Sequence, residues 1–529
     1  MFASALLLLF IVIERLPFAS AASEDETARW WQDVEALAGD AMQGRLAGTA
    51  EYRRAAEYVA DAFKGAGLAP AGTDGYFQPV RFVSRQLVPG GSTLALVRAE
   101  HSTPLTVGDE AVIGLRYTPS ETVDAGLVFA GYGLSIPEAG YDDLSGLDVR
   151  GRIVVYMAGA PEGVPPDLLA HAQSSAERWK PLAKAGAVGL ISLSGAATRD
   201  VPWDRVVHLA ANPTMRLADE SLDDTRGQQI GLSVNESGAA KLLEGTGQDA
   251  AALLALAARH AALPHFAIPS RLQAHLAFTS TPVTADNVVA VRRGSDPAVA
   301  AEHVVLSAHL DHVGIGEPID GDRIYNGAMD NASGIATLLG AARQLGDAPP
   351  RRSLVFLAVT AEEQGLLGSR YFAAHPTVAR DAIVADVNVD MFLPLYPMRS
   401  VIGYGADESD LGDDLRRAAA DAGVSVVADP EPARRSFVRS DQYSFIRAGI
   451  PALALKLGYE LGSPEHEIVK AWREKRYHAP SDDLAQPIDR GAVAAFNRLY
   501  LSLARSIANR PARPEWKETS FFRRFARGE

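Results

Sequence analysis

Leu354-Val355-Phe356-Leu357-Ala358-Val359-Thr360-Ala361-Glu362-Glu363-Gln364-Gly365 joins an unbroken apolar run to two adjacent acids. A short continuous run of this kind reads as a fully buried strand, and Gly365 releases the chain toward a following helix. In open α/β sheets the carboxyl ends of such strands are where ligands usually bind. Two carboxylates there can hold a metal, act as a base, or do both, and the plain alternative is a solvated loop. Adjacent side chains of a regular strand face opposite ways. If both acids serve one centre, the strand must therefore end by Thr360 or Ala361.

Working outward, residues 303–308 read as a second strand, with His309-Leu310-Asp311-His312-Val313-Gly314 at its carboxyl end. Residues 382–389 read as a third, ending in Asp390. Three successive strand ends thus deliver His309, Glu362 with Glu363, and Asp390 to one sheet edge. Between the first two strands lies Asn326-Gly327-Ala328-Met329-Asp330-Asn331-Ala332-Ser333-Gly334, ahead of a helix predicted over 332–345. Taken alone, Asp330 would read as the cap of that helix. A last polar loop, Arg476-Tyr477-His478-Ala479-Pro480-Ser481-Asp482-Asp483, precedes the final helix.

The chain of 529 residues exceeds the usual size of one core, so more than one domain is expected. Hydrophobic content of 47% and charged content of 22% are those of a globular protein. A formal net charge of −14 argues against nucleic acid or anionic membrane as a partner, because phosphate would be repelled. The absence of cysteine removes disulfides, thiolate nucleophiles and cysteine zinc sites, so any metal must sit on His, Asp and Glu.

Residues 1–22 read as a signal peptide: an apolar run from Ala5 to Ile13, then Ala19-Ser20-Ala21 at cleavage spacing. Export to the periplasm or medium is the expectation, with an uncleaved amino-terminal anchor as the alternative. No later stretch reaches membrane-spanning length without charges. Residues 26–68 are helical in pattern, with Tyr52, Ala56, Val59, Ala60 and Phe63 at helical spacing and a glycine-punctuated loop, Gly44 to Thr49, between two helices. Residues 125–267 read as a separate unit of short strands and helices without clustered acids or histidines, either a plain covering domain or one that narrows access to the site. Residues 510–529 form an Arg-rich tail, a docking or frayed segment.

In order, the chain carries His-x-Asp, Gly-Ala-x-Asp-Asn-Ala-Ser-Gly, Ala-Glu-Glu-x-Gly-Leu-Leu-Gly-Ser, Asn-x-Asp-Met and Tyr-His-x-Pro-x-Asp. This set resembles the zinc metallopeptidases of family twenty-eight, a group containing bacterial aminopeptidases, glutamate carboxypeptidase and the transferrin receptor. The resemblance implies a mixed, mostly parallel α/β sheet flanked by helices. It divides the chain into peptidase parts at 23–124 and 268–509 and an inserted, β-rich protease-associated domain at 125–267. It further implies two zinc ions bridged by Asp330, one completed by His309 and Asp390, the other by Glu363 and His478. Mixed imidazole and carboxylate ligands suit zinc better than magnesium and leave manganese and cobalt open. Three ligating carboxylates against two divalent cations leave one positive charge, which a bridging hydroxide neutralises.

By the same resemblance Glu362 is the general base and Asp311 its supporting catalytic residue, accepting the second ring N–H of His309. His312 is read as a local hydrogen-bonding residue rather than a ligand. Arg439-Ser440-Asp441-Gln442 also resembles the family, with Gln442 where His is common and Phe437 where some aminopeptidases carry an oxyanion-binding tyrosine. Arg439 and Tyr477 are then candidate oxyanion donors, and Arg439, Ser440, Asp441 and Tyr477 candidate substrate contacts, although Ser440 and Asp441 read equally as helix caps. Peptides are the expected substrates. An aminopeptidase is the first reading; a glutamate-type carboxypeptidase, using Arg434, Arg435 and Arg439, is the near alternative, and an inactive binding protein of the same fold is the distant one. Side-chain preference and oligomeric state are not written in these motifs.

Overall fold

The computed structural model describes residues 18–199, 201–345 and 349–528. The apolar run and most of the segment assigned to a signal peptide lie outside the described residues. Among the described residues no helix is long and apolar enough to cross a membrane.

The Ser353–Val359 strand is buried at every position, as are Ile383–Val389 and all but the first residue of His303–His309. These three lie side by side in the order 353–359, 303–309, 383–389, all parallel, with Ala452–Leu457 parallel beyond them. The flanks of this ten-stranded sheet are mainly antiparallel: Phe278–Arg292, Phe77–Leu87 and Thr214–Leu217 on one side, Ser400–Tyr404 on the other, with Ser425–Val427 parallel at that edge. Helices cover both faces. Phe18–Ala38, Ala50–Gly65, Ser333–Gln344 and Arg490–Asn509 pack on one, Leu367–Ala374 and Gln442–Arg447 on the other. The helical spacing read near the amino terminus is the buried face of Ala50–Gly65, whose first turn is capped by Thr49 accepting from the Tyr52 N–H at 3.1 Å.

A second sheet of eight strands has its own core. Its first strand is Thr93–Arg98 and its last His265–His275, so it is wider on both sides than the expected 125–267. Strand Thr93–Arg98 alternates weakly in polarity, and Ala111–Ile113 is only three residues long, so neither signals itself in the sequence. The chain passes into this unit and back through the eleven-residue ladder of Phe77–Leu87 with Phe278–Arg292. Strand Thr214–Leu217 leaves the unit to pair with Phe77–Leu87 on the main sheet.

The carboxyl-terminal segment is docked. Phe522 is buried against Phe437, and Phe521, Phe522 and Phe525 surround His171 of the second unit with ring centroids 5.1–5.6 Å away. Arg524 pairs with Glu138 at 2.8 Å.

Candidate metal centre

The strand ends as expected, at Val359, and Ala361 then adopts a left-handed φ of 54°. That turn breaks the alternation of the ladder and lets Glu362 and Glu363 serve one side. Met391, just after Asp390, and His478 are also left-handed, at 51° and 50°. Non-glycine residues cost on the order of 1–3 kcal/mol each in such conformations, and three of them at one site mark a backbone held by its surroundings.

Asp330 sits at the centre. Its Oδ1 lies 3.2 Å from His309 Nε2, which is also 3.2 Å from Asp390 Oδ1. Its Oδ2 lies 3.3 Å from His478 Nε2, which is 3.1 Å from Glu363 Oε2. One carboxylate thus faces two separate His and acid pairs, and the five residues expected as ligands converge. A sixth joins them. His312 Nδ1 donates to Glu363 Oε1 at 2.7 Å and is 3.9 Å from Asp330, while its Nε2 is buried without a hydrogen-bond partner among the described residues. Donor-atom proximity alone groups His312 with Asp330 and Glu363, but His478 has the better claim as ligand because its Nε2 approaches both acids at comparable distance.

Burial opposes charge on every group here, and the neighbours decide the outcome. For His478, Glu363 and Asp330 overcome burial and hold the imidazole up at about 10. Glu362 is pushed well above the usual carboxylate range by burial, opposed by His309 and reinforced by Glu363 and Asp390. Asp330, Asp390 and partly buried Glu363 thus meet three imidazoles, His309, His312 and His478, in direct contact, and partly buried Glu362 adds a fourth acid beside them. Such a set is stabilised by divalent cations and fits zinc in particular, with both imidazole and carboxylate donors. The His309 ring is already oriented for this: Nδ1 donates to the Asp311 carbonyl at 3.1 Å, leaving Nε2 toward Asp330 and Asp390.

That contact corrects one expectation. The backbone carbonyl of Asp311, not its carboxylate, fixes His309. The buried carboxylate accepts instead from the backbone N–H groups of Glu362, at 3.0 Å, and Glu363, at 3.3 Å. With His309 ending its strand, residue 311 has already turned away from the imidazole and faces the neighbouring strand end. Burial lifts the Asp311 carboxyl to about 7, with His309 opposing.

A second correction concerns Asp441. Its side chain is fully buried behind the centre and cannot touch substrate. Ser440, by contrast, lines the cleft past Asp390, its Oγ accepting from Asn388 at 2.7 Å. Gln442 accepts from the same amide at 3.1 Å and donates to the Phe437 carbonyl at 2.8 Å, so its departure from the family pattern serves packing. Phe437 is buried in the aromatic cluster. Arg439 and Tyr477 do line the open cleft, joined by a hydrogen bond of 3.3 Å, and the Tyr477 ring stacks on His478 at 3.9 Å.

Several supporting residues escaped the motif reading. Asp482, inside the Tyr-His-x-Pro-x-Asp motif, accepts from the N–H groups of Met329 and Asp330 at 3.0 Å each and so places the central acid. Asn331 donates to the Val389 carbonyl at 2.9 Å and accepts from the Met391 N–H at 3.2 Å, tying Asp330 to the strand end that carries Asp390. Arg45, fully buried in the glycine-punctuated loop, donates to the carbonyls of Leu37, Leu310, Asn326 and Gly327 at 2.6–3.0 Å. The glycines of that loop were its only sequence signal. The second unit, too, reaches the centre: Arg116 donates to the Glu363 carbonyl at 2.6 Å, and Arg205 to those of Tyr477 and Glu474 at 3.0 and 3.1 Å.

Comparison with known proteins agrees with this geometry. Residues 287–504 match Peptidase family M28. A "Probable zinc metalloprotease" of Pyrenophora tritici-repentis is 27% identical over 266 residues, 44% of this chain and 59% of that protein. A "probable leucine aminopeptidase 2" of Aspergillus oryzae is 30% identical over 214 residues, 38% of this chain and 40% of that one. "Aminopeptidase YwaD" of Bacillus subtilis is 27% identical over 214 residues, 39% and 41% respectively. The chain thus spans about half the length of the curated relatives it matches. In fold it is similar to an aminopeptidase from Aneurinibacillus sp. strain AM-1, with a TM-score of 0.55 at 20% identity over 92% of this chain and 95% of that one. Glu362 and all five expected ligands fall within the segment, residues 287–504, over which the chain is similar to Peptidase family M28.

Proposed function

We propose that the chain is an exported di-zinc exopeptidase, an aminopeptidase that releases amino-terminal residues from peptides. The observation that carries this reading is the placement of Asp330 between His309 with Asp390 and His478 with Glu363, next to a further, partly buried acid, Glu362. When bound, the two ions would polarise the scissile carbonyl and make water a nucleophile near neutral pH. Glu362 receives the proton of the attacking water and passes it to the leaving amine, a task suited to a carboxyl whose surroundings raise its proton affinity. Tyr477, held by Arg439, is the side chain available to donate to the developing oxyanion. An inserted protease-associated domain is the reading of the second sheet, and the apolar run before Glu14 supports export.

The names of two relatives, a leucine aminopeptidase and an aminopeptidase, favour the amino end of the substrate. The glutamate-type carboxypeptidase reading draws on Arg434, Arg435 and Arg439, which line the clefts beside the centre. Metal analysis followed by hydrolysis of amino-acid arylamides and amino-blocked dipeptides separates the readings. Cleavage of blocked dipeptides alone would replace the aminopeptidase by the carboxypeptidase, and a protein that binds no metal would leave only the inactive binding protein. Amino-terminal sequencing of the mature protein tests export.

A further inference from the structure

Two clefts meet at Arg439 and Tyr477. One runs past Asp390 and is walled by Met391, Phe392 and Leu457; the other lies between the two sheets and is bordered by Glu362, Glu363 and His478. If Glu362 hands its proton to the leaving amine, as the proposed function has it, the departing part of the substrate occupies the cleft that Glu362 borders. That cleft is cationic. Six arginines line it, at 116, 216, 370, 435, 439 and 447, against Asp223 and Asp224 beyond the acids of the centre. Asp224 is already engaged by Arg370 at 2.8 Å and Arg447 at 2.7 Å, and Asp223 is turned to the N–H and hydroxyl of Thr225.

Arg116 stands apart from the rest. It projects from the second unit, is solvent-exposed within the cleft, and is pinned by Nη2 to the carbonyl of Glu363. Its Nε and Nη1 meet no hydrogen-bond acceptor among the described residues, so a planar fork with most of its donors open is held over the residue next to the base. A fork of this shape matches a carboxylate, and a pinned one loses little freedom on binding it.

We infer that Arg116 recognises a carboxylate on the leaving side of the scissile bond, so that the preferred substrates are short peptides whose free carboxyl terminus reaches it. An acidic side chain on the first leaving residue presents the same group. The inference rests on the proposed function, and the test keeps the two apart. The metal-loaded full-length protein is assayed for kcat/KM on leucine arylamide, Leu-Leu, Leu-Leu-amide and Leu-Glu-amide. The expected result is a loss of about tenfold or more on amidating Leu-Leu, mostly in KM. In Arg116→Ala the ratio of Leu-Leu to arylamide rates falls by about the same factor, and Arg116→Lys restores part of it. Recovery on Leu-Glu-amide would assign the acidic side chain as the source of the carboxylate and support the inference in that form. Equal rates on Leu-Leu and its amide, or an equal loss on all substrates in Arg116→Ala, would overturn it and leave the aminopeptidase standing. No hydrolysis of any of the four by metal-loaded protein would remove both.

Discussion

The carboxylate of Asp311 holds the backbone of Glu362, accepting its N–H at 3.0 Å, so the base and its supporting acid are linked through the main chain rather than through His309. In Asp311→Asn the amide can replace one acceptor but turns a donor toward the second N–H, leaving a buried donor unpaired at a cost of about 1–3 kcal/mol. Because Asn keeps the carbonyl that orients His309, the damage falls on the Glu363 side. Metal affinity there is expected to drop about 10- to 100-fold in chelator competition. Parent-like affinity for both ions would show that this link does not support the site.

Glu362 and Glu363 are neighbours with separable duties. Glu362→Gln is expected to keep two metals per chain and lose about 10²- to 10⁴-fold in kcat. Glu363→Ala is expected to retain only one. Metal analysis beside turnover reads both, and a metal-replete Glu362→Gln protein with near-native turnover removes Glu362 from proton transfer.

Arg45 joins three segments at one point: the end of the first helix, the loop after His309, and the loop before Asp330. Arg45→Met removes the donor of four core carbonyls, of which that of Gly327 keeps the Ala332 N–H, and a loss of about 3–5 kcal/mol is expected from the urea midpoint. Lysine recovers only part of it, because an ammonium lacks the fork. A loss below about 1 kcal/mol would mean that water replaces the guanidinium.

Asp167, at the start of a helix in the second unit, is raised from 3.8 to about 7 by burial and by Glu408, Asp429 and Asp407. The folded state therefore binds more protons than the unfolded one between those values, and this group's contribution to stability falls as pH rises through that window. Asp167→Asn should flatten that slope and raise stability at pH 8 by about 1–3 kcal/mol, measured in denaturant melts at both ends of the window. An unchanged slope would place the proton elsewhere in the cluster.

Much of the centre was legible because its chemistry obeys short-range rules. An apolar run ending in acids marks a strand end, and three such ends in a parallel sheet must lie on one edge, as His309, Glu363 and Asp390 do. What was hidden depends on distances the sequence does not encode. Asp311 is two residues from His309, yet its carboxylate serves the adjacent strand. Asp441 sits in a motif of polar residues but points into the core. Arg116 and Arg205 come from a unit whose sequence carries no cluster of acids or histidines, and they touch the site only through backbone carbonyls, which are the same for every residue type.

The strand Thr214–Leu217 broadens the stalk that anchors that unit. Besides the two-stranded stalk and the docked aromatic tail, it is laced into the edge of the main sheet by its own ladder. A body fixed along one line can swing like a door; one whose stalk is broadened by a third strand and whose far side is tied by the aromatic tail is held against that swing. The gap that Arg116 overlooks therefore has a set aperture, and opening it requires unzipping main-chain hydrogen bonds rather than turning a hinge.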